Sequence, residues 1–61
     1  MTDSDSIHEA YAAKLVGLYE VMFAAYLSAA GDSAKEKKAE AKFAEALALA
    51  RRVRDRALAL L

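Results

Sequence analysis

The densest chemistry in these 61 residues is the run Arg51-Arg52-Val53-Arg54-Asp55-Arg56. Four guanidinium groups in six residues could hold phosphates, as basic helices do when their cations line one side. Wound as a helix at about 100° per residue, however, Arg54, Arg51, Arg52 and Arg56 project near about 0°, 60°, 160° and 200°, so they ring the axis. Lys37, Lys38 and Lys42 are interleaved with Glu36, Glu40 and Glu45 in the same way. Nine basic and nine acidic side chains leave a formal net charge of zero, which gives no overall pull toward a polyanion. Basic side chains in the last turns of a helix also favour its C-terminal dipole. The structural role is therefore the preferred reading of this cluster. Nucleic-acid binding through Lys37, Lys38, Lys42, Arg52 and Arg56, on the outer side of the helix, is the alternative.

His8 is the one histidine and there is no cysteine. A zinc site needs about four ligands and a bundle metal site needs Glu-x-x-His pairs, neither of which this chain can assemble. Glu9 points about 100° away from His8 around a helix, so the two make no acid–base pair. His8 reads as a residue at the edge of a packed surface. Tyr11, Tyr19 and Tyr26 recur at spacings of eight and seven, which suits a ligand slot between helices and equally suits a packing seam with wet hydroxyls. The seam is preferred. With no nucleophile–base pair, metal set or phosphate loop, no catalytic residue, cofactor site or metal site is assigned, and the chain reads as a non-enzymatic protein.

The elements that carry these residues are helical. Ala, Leu, Glu, Lys and Arg dominate, Pro is absent, and only Ile7, Val16, Val21 and Val53 are β-branched among the apolar residues. Ser6-Ile-His-Glu9 and Ser33-Ala-Lys-Glu36 both fit the capping box, in which a hydroxyl and a carboxylate reciprocally bond the first turn. Gly31 supplies the left-handed residue of a helix exit, and Asp32 follows it as a turn former. The reading is two helices, about 7–30 and 34–60, after a disordered acidic tail at 1–6, with residues 7–61 forming one all-α domain. A connection of about three residues lays the helices antiparallel, with level residues summing to about 64.

Apolar residues of the first helix span an arc of about 200°, twice the stripe that one neighbour covers. Two seams of three- and four-residue steps fill it. Tyr11, Leu15, Leu18, Met22, Ala25 and Ala29 form one; Ala12, Val16, Tyr19, Phe23, Tyr26 and Ala30 form the other, with Leu27 beside them. The second helix has a narrower seam, Ala39, Phe43, Ala46, Ala50, Val53, Ala57 and Leu60. Level pairing sets Ala46 near Leu18, Ala50 near Leu15, Val53 near Tyr11 and Phe43 near Val21 or Met22, so large side chains meet small ones along most of the hairpin. A small-residue face, Ala10, Ala13, Gly17, Ala24 and Ser28, lies elsewhere on the first helix.

Of the apolar residues, 16 are Ala, so a lone hairpin has little bulk to bury. Domains below about 70–80 residues rarely draw more than about 3–5 kcal/mol from one core, and disulfides are excluded here. The second helix carries eight basic and four acidic side chains, whereas residues 1–33 carry one basic and five acidic. The expected outcome is a homodimer closing into an antiparallel four-helix bundle, or a hairpin that takes a partner helix, through Ala12, Val16, Tyr19, Phe23, Tyr26 and Leu27. Lys14 and Glu20 interrupt the apolar run at 10–30 and speak against a membrane span. The acidic start lacks the features of a secretory signal, so a cytoplasmic protein is expected.

Overall fold

The computed structural model describes residues 1–61, and the chain is all-helical. Helix α1 spans Asp3–Ala29 and helix α2 spans Ser33–Ala59, packed side by side as an antiparallel hairpin. The two form a single layer with Cα extents of 44 × 18 × 8 Å.

Helix α1 begins one turn earlier than expected, so residues 3–6 are its first turn and not a disordered tail. The Ser6–Glu9 box does not form. Thr2 is the cap instead: its hydroxyl accepts from the Asp5 N–H at 3.1 Å, and Asp5 Oδ2 accepts from the Thr2 N–H at 3.2 Å. Thr-x-x-Asp supplies the same reciprocal pair as Ser-x-x-Glu, and starting there adds a turn of backbone bonds with Asp3 and Asp5 at the positive end of the dipole. At α2 the cap is Asp32 and not Ser33, because Asp32 Oδ1 accepts from the N–H groups of both Ala34 and Lys35, at 3.0 and 3.3 Å. A carboxylate accepting two amide hydrogens outcompetes a hydroxyl one residue later.

The reversal between helices rests on two consecutive left-handed residues, Ala30 at φ 50° and Gly31 at φ 86°. The Ala30 N–H bonds the Tyr26 carbonyl and the Asp32 N–H bonds the Ala29 carbonyl, which satisfies two of the free carbonyls at the α1 exit. Gly31 takes the position expected of it. Ala30 takes the same region with a Cβ, at a cost of roughly 1–2 kcal/mol for an L-residue.

The seam of α1 that meets α2 is Ile7, Tyr11, Leu15, Leu18, Met22, Ala25 and Ala29, all half-buried or buried. Opposite lie Ala39, Phe43, Ala46, Ala50 and Ala57, joined by Leu47 and Leu58. Two members of the expected α2 seam fall outside it: Val53 is 60% exposed and Leu60 77%. Arg54 fills the place expected of Val53, with its guanidinium carbon 4.5 Å from the centroid of the Tyr11 ring. A guanidinium on an aromatic face gains an electrostatic attraction while its aliphatic stem covers apolar surface, which a short Val side chain cannot do for a ring at this width. Only Ala29 and Ala39, beside the turn, are fully buried. No large side chain is enclosed, so the hairpin has a contact line where a larger domain has a core.

Candidate interaction surfaces

Because α1 and α2 make one layer, the hairpin has two broad faces. Tyr19, Val16 and Phe23 stand on one of them, 59%, 59% and 60% exposed. Leu27 extends this patch at 74% exposure, Ala12 is exposed, and Tyr26 is half-buried where the patch meets α2. Tyr19, Met22, Phe23, Tyr26 and Leu27 together frame an apolar hollow of about 410 Å³. The seam assigned to α2 in the sequence is thus the one α2 covers, and the second seam is open.

At the hairpin edge of this face, the nearby Glu40 carboxylate raises the Tyr26 phenol above its ordinary pKa of 10.0, as do partial desolvation and the charge of Glu36. This places Glu40 of α2 on the same face as Tyr19. The pairing is also a register mark, since 26 and 40 sum close to 64, as do 11 and 54.

The other face holds a groove of about 480 Å³ between the helices. Ile7, Ala10 and Leu18 line it from α1, and Ala46, Leu49 and Val53 from α2. Its charged lining groups are Lys14 and Arg54. Sequence reasoning identified part of this surface as the small-residue face but missed the groove. The signal was Leu49 and Val53 lying about 40° apart on the side of α2 away from Leu47. A Cβ added at Gly17 meets nothing within 4 Å, so within one hairpin no helix approaches there.

Lys37, Lys38, Lys42, Arg52 and Arg56 are all exposed on α2. Lys42 and Arg52 border an open hollow with Glu45, Ala48 and Leu49, while Lys37 and Arg56 lie about 28 Å apart along the helix. No ion pair crosses between the helices: the arginine cluster lies level with Asp3, Asp5 and Glu9 without contacting them. The one ion pair joins Arg54 Nε to Asp55 Oδ1 at 3.0 Å, within α2. His8 is exposed, and no three His, Asp or Glu side chains come together.

Helix α1 is long and apolar enough to cross a membrane by length and composition, with a mean hydropathy of 1.2 over its best 18 residues. No family model, curated protein or solved structure matches the chain.

Proposed function

We propose that this chain is a small, non-enzymatic interaction protein that self-associates through the aromatic-aliphatic face of α1, centred on Val16, Tyr19 and Phe23. One observation carries the reading: the excess of exposed surface. The hairpin exposes 4759 Å², whereas a compact monomer of 6.6 kDa is expected to expose about 3,900 Å². The excess of about 900 Å² is close to the roughly 800 Å² per partner that a standard interface buries. Aromatic side chains are the usual anchors of such interfaces, and here two of them stand near the middle of the more apolar helix.

A membrane placement of α1 is the less favourable way to cover this surface. Lys14 and Glu20 would both lie inside the apolar span, each costing about 2.5–3.5 kcal/mol near the bilayer centre. Binding of nucleic acid is the second reading, favoured by Lys38, Lys42, Arg52 and Arg56, which share the outer side of α2 around Glu45.

Sedimentation equilibrium at micromolar concentration tests the first reading. The wild-type chain is expected to be a dimer and Phe23→Glu a monomer, since an unpaired charge buried in a small interface costs several kcal/mol. Lys38→Ala and Arg52→Ala should remain dimeric. A compact wild-type monomer with cooperative melting would overturn the self-association reading and leave the seam to a different partner helix. A salt titration of RNA and DNA binding decides the second reading, because phosphate contacts weaken steeply with salt.

A further inference from the structure

We propose that the occupant of the open aromatic seam is helix α2 of a second copy, arranged so that the turns of both hairpins lie at the same end of the bundle. This rests on the self-association reading and specifies what the seam meets.

Two hairpins laid face to face can be related by a two-fold axis in either of two directions. With the axis perpendicular to the helices, the turns lie at opposite ends, α1 abuts α1 and α2 abuts α2. With the axis parallel to the helices, the turns share an end and each α1 abuts the partner's α2. Every neighbour is antiparallel in both arrangements, so the helix dipoles do not choose between them. The side-chain charges do. Helix α1 carries Asp3, Asp5, Glu9 and Glu20 against Lys14 alone, while α2 carries eight basic and four acidic side chains. Packed helices lie about 8–10 Å apart, comparable to the Debye length of about 8–10 Å at physiological salt. The opposite-end arrangement therefore sets acidic against acidic and basic against basic, and the same-end arrangement sets unlike charges together.

The rim of the aromatic seam on α1 follows the total of its helix. Asp5, Glu9 and Glu20 flank the aromatic seam on α1, while Lys14 lines the groove on the other face. The matching side of α2 is locally balanced, with Glu36, Glu40 and Asp55 beside Lys37, Arg51 and Arg54, so the cationic excess that meets the α1 carboxylates is that of the helix as a whole. Shape is compatible with this pairing: level with Tyr19 and Phe23, this side of α2 presents Ala44 and Leu47, so large rings meet small or flexible aliphatic side chains.

The chain has no cysteine, so Lys35→Cys gives one spin-label site, exposed in the first turn of α2 and away from the seam. The same-end dimer is expected to give a label-to-label distance of about 20–30 Å, with unchanged helicity by circular dichroism. A distance of about 40 Å or more, set by the length of a 27-residue helix, would overturn the orientation while leaving the dimer standing. Absence of dipolar coupling in a chain that sediments as a monomer would overturn both proposals. As an independent readout, raising salt from about 0.05 to 0.5 M should weaken the same-end dimer by a factor of about three or more; tighter association at high salt would mean like-charged helices abut.

Discussion

The guanidinium of Arg54 sits over the ring of Tyr11, 4.5 Å from its centroid, and ties the first half of α1 to the last half of α2. Level with it, the helices have no enclosed side chain to hold them, so this pair bears more of the register than it would in a larger domain. Arg54→Ala is expected to destabilise the hairpin by about 0.5–1 kcal/mol, the usual range for a partly exposed cation–π contact. A double-mutant cycle with Tyr11→Leu, read from urea midpoints, should give a coupling of similar size. Additive effects would mean that the stem of Arg54, not its charge, is what matters.

The turn separates two residues that share a backbone region but not a cost. Gly31 at φ 86° has open space around it, so Gly31→Ala should destabilise by roughly 1 kcal/mol through backbone strain alone, and Gly31→Asn by less. Ala30 at φ 50° already bears that strain, so Ala30→Gly should raise the melting temperature. A gain of about 0.5–1 kcal/mol is a shift of about 4–8 °C at most in a domain this small. A drop in melting temperature for Ala30→Gly would place the helix exit elsewhere.

Helix type, hairpin topology, register and the division of α1 into a covered and an open seam were legible because each rests on local spacing that tertiary packing did not contest. The α1 start was misplaced because two capping boxes lie four residues apart, and pattern alone does not rank Thr2–Asp5 above Ser6–Glu9. Val53 and Arg54 exchanged places for a different reason. A hydropathy pattern counts Arg as polar, while its stem and its attraction to Tyr11 make it a seam residue. The open groove beside Leu49 and Val53 depends on which side of α2 faces Ala10, a rotation that the periodicity of either helix alone does not fix.

Glu40 and Glu36 hold the Tyr26 phenol in its neutral form beyond its ordinary pKa. In the native state the proton is retained at pH values where the unfolded chain has lost it. The stability linked to this group is therefore fully present below about pH 10 and is lost as pH rises through the raised native value. The expected observation is a Tyr26 ring signal in NMR that titrates above pH 10, moving back toward the ordinary range in Glu40→Gln. The stability difference between wild type and Tyr26→Phe should shrink between about pH 10 and the native midpoint, a comparison that cancels the lysines titrating nearby.

Gly17 lies mid-helix in α1, roughly 160° around the axis from Tyr19, with nothing within 4 Å of where a Cβ would stand. A glycine there costs about 0.5–1 kcal/mol relative to alanine, so Gly17→Ala should stabilise the hairpin by about that amount. If assembly uses the Tyr19 and Phe23 face, the added methyl group stays in solvent and self-association is unchanged. If instead a helix packs closely on Ala10, Gly17 and Ser28, the methyl intrudes on that approach and association weakens while the thermal stability of the isolated hairpin still rises. Melting temperature and sedimentation measured on the same variant thus separate the two faces: a rise in the first with no change in the second keeps the interface at Phe23, and a rise with dissociation moves it to the small-residue side.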